Sequence, residues 1–238
     1  MEPIFRETDP LFMRIYVDLP GMGRSGAGED IRNSDDVLRV LFALLDEIIP
    51  GQAFLLAGES YGGLLARGML KERPHQVKGL LLICPAMVPG WRRGTVEPLR
   101  VVKRDEPLLG ELTEEERRSF CYMNVRLTRS VWERYQTDIY DAIRHQNRHF
   151  LDEVLDGSFT YDVDALSAPF EAPALVVTGR LDTEVGYTDQ LELLKLYPNC
   201  TYIAIAGGGH NAQIEQPEIF ASVVSGWIRA NFIPEAGA

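Results

Sequence analysis

Apolar positions along the chain fall into two rhythms. Runs of strand length at 13–19, 52–57, 77–84, 174–178 and 200–206 alternate with stretches whose apolar residues return at helical spacing. Val37, Leu38, Leu41, Phe42, Leu45 and Ile48 form one such stripe, opened by Ser34-Asp35-Asp36 and stopped by Pro50-Gly51. Further helices are expected from 64 to about 73, over 187–196, and from Pro217 through Ile228. The run 77–84 is apolar almost throughout, as a strand covered on both faces must be. Strands and helices alternating at this spacing predict an α/β fold with a mostly parallel sheet between helix layers.

The alternation breaks at Val88-Pro89-Gly90 and resumes after Phe170. Between them the strand-length runs vanish, and polar helical segments rich in arginine and glutamate occupy 111–121 and 128–155. A helical insertion, a cap over the carboxyl edge of the sheet, accounts for this. The chain then divides into core (1–87), cap (88–170) and core again (171–238). Trp132 and Tyr135 are candidate linings of a partly apolar pocket under the cap, although cap packing explains them equally well. The cap arginines, including Arg117, Arg118, Arg126, Arg129 and Arg134, are balanced by local acids, as on a solvated, salt-bridged face.

Composition narrows the partners. With 238 residues, 45% apolar and 25% charged, the chain is long enough for one well-cored globular unit. A formal charge of −11 argues against nucleic acid or an anionic membrane surface and leaves a small molecule as the expected partner. Cys84, Cys121 and Cys200 are odd in number and widely spaced, which suits neither a zinc cluster nor a disulfide framework. No run reaches membrane-spanning length, and the acidic, proline-containing start is unlike a signal peptide. The cytoplasm is the expected site, and a homo-oligomer is compatible with all of this.

Chemistry concentrates at three loops that follow strands. In Gly58-Glu59-Ser60-Tyr61-Gly62-Gly63 a strand turns sharply into a helix with Ser60 at the apex, and Gly58 and Gly62 are expected to keep backbone clear of it. Asp182 lies in the loop after the strand at 174–178, and His210 in the glycine-rich loop after the last strand. A serine hydroxyl needs a base to accept its proton, and a carboxylate on the far ring nitrogen fixes the tautomer of that base. His75 sits in a surface turn, while His145 and His149 belong to the cap, so His210 is the base candidate. Glu184 competes with Asp182 as its partner. Asp18 is expected to hold the 20–26 loop by accepting backbone hydrogen bonds.

These residues, together with Asp18-Leu19-Pro20-Gly21-Met22-Gly23-Arg24-Ser25 and Gly209-His210-Asn211-Ala212-Gln213-Ile214-Glu215-Gln216-Pro217, resemble the α/β-hydrolase fold family, specifically its members with a helical cap. The resemblance implies a mostly parallel α/β-hydrolase sheet between helices with an inserted cap. It further implies Ser60 as nucleophile, Asp182 as acid, His210 as base and the backbone N–H of Tyr61 as an oxyanion donor. Glu59 joins Trp132 and Tyr135 as a candidate pocket residue. Cofactor and metal are not expected. In the family a strand ending in a His-Gly-type loop precedes the Asp18 strand and supplies the second oxyanion donor. The residues before Met13 contain neither histidine nor glycine, and 3–8 resembles the helix that follows that strand. The sheet is therefore expected to be incomplete at its N-terminal side, and loss of one oxyanion donor costs about 3 kcal/mol of transition-state stabilisation.

The leading functional expectation is hydrolysis of a small-molecule ester, amide or related bond through an acyl-enzyme. A catalytically impaired α/β-hydrolase-like protein that binds a small ligand is the alternative, and carbon–carbon cleavage or peroxide chemistry would use related residues.

Overall fold

The computed structural model describes residues 5, 12–87, 94–96 and 98–233. The expected cap entry at Val88-Pro89-Gly90 and, apart from Phe5, the stretch 3–8 lie outside the described residues. Helix α1 (Ser34–Ile48) is capped by Asn33, whose side chain accepts the Asp36 N–H, and Asp35 and Asp36 complement its positive end. There follow β1 (Phe54–Glu59), α2 (Tyr61–Glu72) and β2 (Val77–Ile83). The cap carries β3 (Lys103–Arg104), α3 (Glu106–Glu111), α4 (Glu114–Met123), β4 (Arg126–Leu127), α5 (Arg129–Tyr135) and α6 (Asp141–Arg144). After the cap come β5 (Ala174–Gly179), β6 (Cys200–Ile205), α7 (Ala212–Glu215) and α8 (Pro217–Phe232).

Among the described residues the main sheet has four strands in the order β1-β2-β5-β6, every pair parallel. Side chains alternate across a strand, and both faces are used. Leu81 and Ile83 of β2 pack with Phe220, Val224 and Ile228 of α8, while Leu80 and Leu82 face Ala66 and Leu70 of α2. Burial on both sides is why these strands read as nearly unbroken apolar runs.

The cap has its own core. Phe120, Leu127, Trp132, Tyr135 and Tyr140 cluster there, with Phe120 and Trp132 edge to face at 5.2 Å. Thr113 and Glu116 form a reciprocal capping box at the start of α4. Ile214 of α7 belongs to the same cluster, so the cap core reaches the element directly after His210.

Three expectations are corrected. Residues 13–19 pair with no described strand; Met13 and Tyr16 are 76% and 60% exposed, and an apolar run without a ladder partner does not make a strand. The helix expected over 187–196 is a 3₁₀ segment, Asp189–Lys195. The long helix expected over 128–155 is split by π-type turns at Gln136–Tyr140 and Phe150–Val154. The short parallel pair β3-β4 was not foreseen, because two residues leave no periodicity to read.

The polypeptide returning from cap to core is fastened by Arg67 of α2, which is 1% exposed. Its guanidinium grips both oxygens of Asp164, at 2.8 and 2.5 Å, and donates to the Ala86 carbonyl at 2.5 Å. Breaking a buried pair by removing one partner is costly because the other charge stays behind. Asp164→Ala is therefore expected to destabilise the protein by about 3 kcal/mol in urea unfolding, whereas loss of an ordinary surface pair would cost under about 1 kcal/mol.

Candidate active site

The reversal from β1 into α2 takes place at one residue. Ser60 has φ +52° and ψ −118°, a conformation rare for a residue with a Cβ. Its N–H donates to the Ile83 carbonyl at 3.0 Å, and its own carbonyl accepts from Gly63, Leu64 and Ala86. Gly58 makes the turn sterically possible, since a Cβ there would lie 2.2 Å from the Gly62 carbonyl oxygen. Gly62 does not have the clearance role expected of it, because a Cβ at that position would meet nothing within 4 Å. Tyr61 starts α2, where an N–H has no intrahelical acceptor, and its hydroxyl bonds Ser34 Oγ at 2.9 Å.

Asp182 and His210 are brought together by the pairing of β5 with β6 and by a close crossing of their loops. A Cβ on Gly179 would lie 2.0 Å from the Gly209 carbonyl oxygen, so glycine is required where the two loops cross. Asp182 Oδ2 meets His210 Nδ1 at 2.9 Å, and the two side chains are 0% and 7% exposed. Asp182 Oδ1 accepts the N–H groups of Glu184 and Val185 at 2.8 and 3.0 Å. Asp182, and not Glu184, contacts the imidazole; the Glu184 carboxylate instead accepts from the Tyr122 hydroxyl at 3.3 Å. Asp18 accepts the Arg24 N–H at 3.0 Å and so holds its own loop.

Burial is the largest single influence on the His210 pKa and lowers it, but the hydrogen bond to Asp182 and the charges of Asp182, Glu59 and Glu184 together leave it above the ordinary imidazole value. Glu59 accepts from Gln213 Nε2 at 2.6 Å, and burial pushes its carboxyl upward. The Ser60 hydroxyl makes no hydrogen bond to a described residue.

Cys84, Asp182 and His210 each offer an atom within 4.8 Å of the others, a triangle that could in principle hold a metal ion. The donors do not fit that use. Both Asp182 oxygens already accept hydrogen bonds, the Cys84 thiol points at the Gly209 carbonyl at 3.9 Å, and burial followed by the charges of Asp182 and Glu59 keeps that thiol protonated. Cys84 has φ +40°, a second strained backbone position at a strand end. Trp132, at 6% exposure, is cap core rather than pocket lining. Tyr135 is 1% exposed, with its hydroxyl bonded to Ser119, and borders a cap cavity of about 330 Å³ shared with Arg118, Tyr122 and Tyr140.

Sequence reasoning passed over Cys84, Gln213 and Glu215. The first reads as strand core, and the other two lie inside the His210 motif without chemistry of their own to mark them.

A mostly parallel sheet with a strained serine elbow, a buried carboxylate–imidazole pair at the strand ends and an inserted helical cap defines an α/β-hydrolase architecture. The family profile described as the alpha/beta hydrolase family matches residues 5–223, and the chain belongs to that family. A curated 2-hydroxy-6-oxononadienedioate/2-hydroxy-6-oxononatrienedioate hydrolase of Burkholderia vietnamiensis is 26% identical over 220 residues, covering 90% of this chain and 76% of the relative. The crystal structure of an alpha/beta superfamily hydrolase from Oenococcus oeni superposes with a TM-score of 0.82 at 29% identity, covering 95% of this chain and 86% of that one. A meta-cleavage product hydrolase from Pseudomonas fluorescens, 18% identical with a TM-score of 0.55 over 89% of this chain and 78% of that one, shares the fold. No described helix is long and apolar enough to cross a membrane.

The raised pKa of His210 fixes the sign of its pH dependence. A histidine whose folded pKa exceeds the unfolded value of about 6.5 contributes stability that is full below that value and fades as pH rises through the folded pKa. A histidine NMR titration is expected to place His210 above about 6.5 in the wild type and lower in Asp182→Asn, where burial is opposed by fewer negative charges. An unchanged midpoint in that variant would remove Asp182 as the cause.

Proposed function

We propose that this protein hydrolyses a small-molecule ester, amide or related acyl bond through a covalent intermediate on Ser60. The supporting observation is the strained elbow that isolates Ser60 at the carboxyl end of β1, in a fold whose other strand ends hold a buried Asp182–His210 pair. In this reading Ser60 Oγ attacks the substrate carbonyl carbon while its proton passes to His210 Nε2. Asp182 on Nδ1 holds the tautomer and stabilises the imidazolium. The bond to the leaving group breaks, and Nε2 returns the proton to that group. Water, deprotonated by the same nitrogen, then releases the acid and restores Ser60. The Tyr61 N–H faces the developing oxyanion. Glu59 borders the pair, and its charge contributes to keeping the His210 pKa high.

Residues 88–170 act as the cap over the substrate, with 1–87 and 171–238 as the core. A small uncharged or carboxylated molecule is the partner. The cysteines Cys84, Cys121 and Cys200 are all free thiols, which supports a reducing compartment such as the cytoplasm.

A second reading, a catalytically impaired relative that binds a small ligand, is favoured by one observation: the Ser60 hydroxyl is not hydrogen-bonded to His210, while Cys84 stands against the Asp182–His210 pair. Hydrogen bonds of this kind often close only once substrate is bound, so a covalent probe decides between the readings. A fluorophosphonate is expected to label the wild type, to fail on Ser60→Ala, and to react roughly a thousandfold more slowly with His210→Ala. A folded wild type that never labels would leave the binding protein.

A further inference from the structure

Glu215 is a carboxylate buried to 3% exposure, and the acyl-transfer chemistry proposed above gives it no role. Its two oxygens point in different directions. Oε1 accepts the N–H groups of Val125 and Arg126 at 2.5 and 3.2 Å, both at the entry to cap strand β4. Oε2 accepts the N–H of Gly209, the residue immediately before His210. No neutral side chain can do this, since each end of the group must be an acceptor and an amide would aim its own N–H at one of the donors. Burial pushes the Glu215 carboxyl upward, and the N–H donors of Gly209, Val125 and Arg126, with the Arg126 charge, act against that.

Two further bonds join the same segments. Asn211 Nδ2 donates to Asn124 Oδ1 at 3.0 Å, with both residues buried. Arg126 Nε donates to the Gly207 carbonyl at 2.9 Å. Residues 207, 209 and 211 are thus each tied to the cap stretch 124–126, the middle one through Glu215, and His210 lies within the tied loop. Among the described residues the link from the cap to the Ser60 turn reaches only a side chain: Ser34 Oγ donates to the Gly157 carbonyl and meets the Tyr61 hydroxyl at 2.9 Å.

We propose that Glu215 is a positioning residue that clamps the His210 loop to cap strand β4, so that seating of the cap and alignment of the base are one event. It touches no reacting atom and works through the Gly209 backbone. Its effect on catalysis rests on the Ser60–His210 reading, but its effect on the His210–Asp182 bond does not.

The test compares wild type with Glu215→Gln. The first readout is the downfield proton resonance of His210 Nδ1–H in its bond to Asp182, which requires no catalysis. The second is the rate of fluorophosphonate labelling across pH. The expected result is a folded Glu215→Gln protein whose Nδ1–H signal broadens or moves upfield and whose labelling slows about tenfold or more. An Nδ1–H resonance unchanged in a folded Glu215→Gln protein overturns the proposal. Wild type that shows the resonance but never labels would remove the Ser60 reading and leave the clamp judged by the first readout alone. Should Glu215→Gln fail to fold, Asn211→Ala breaks the neighbouring tie. A shift of the resonance in the same direction supports the clamp, and an unmoved resonance overturns it.

Discussion

A carboxylate taken wholly out of water must have its oxygens filled by hydrogen bonds, and Asp182 imposes that condition on everything around it. Its three donors come from two places: the backbone of its own loop, through Glu184 and Val185, and the ring of His210 from a loop 28 residues later. The bond to His210 can form only if the loops after β5 and β6 cross at contact distance. That in turn requires Gly179 under the Gly209 carbonyl, and the parallel register that sets Gly179 opposite Ile205. The site is therefore a consequence of sheet pairing, and little of it is left to side-chain choice.

The same dependence explains what the sequence discloses. β2 and β5 are legible because both faces are covered, so their apolar character is continuous. Ser60, Asp182 and His210 are legible because each lies in a turn or loop that follows a strand-length apolar run. Gly58 is legible as the residue that lets β1 turn. Residues 13–19 have strand-like composition, but a strand is a relation between two segments, and they pair with no described strand. Trp132 fails as a pocket residue for a related reason: an aromatic at helical spacing has the same signature whether it faces a ligand or Phe120. Glu215 is hidden most deeply. A glutamate in a polar helical stretch looks like surface, and only the folded chain brings three backbone N–H groups to converge on it.

Among the many contacts between cap and core, two differ in kind. Arg67 and Asp164 hold the returning chain as an ion pair with one member fully enclosed, and Arg67 also binds the carbonyl of Ala86, whose N–H bonds the Ser60 carbonyl. Ile214 and the ties at 207–211 join the cap to the loop that carries His210. Residues 207 and 211 bond Arg126 and Asn124 of the cap directly, and residue 209 reaches the cap through Glu215.

Helix α7 concentrates this coupling in four residues. Gln213 reaches back to Glu59 at the end of β1, beside Ser60; Ile214 enters the cap core; and Glu215 bonds cap backbone and Gly209 together. A helix this short gains little from its own hydrogen bonds, so its conformation is held by the three partners it connects. Elbow, His210 loop and cap consequently meet at one element. The Asp182 bond orients the imidazole itself, while the carboxylate at position 215, held against the opposing effect of burial, accepts backbone N–H groups from the loop before it and from the cap.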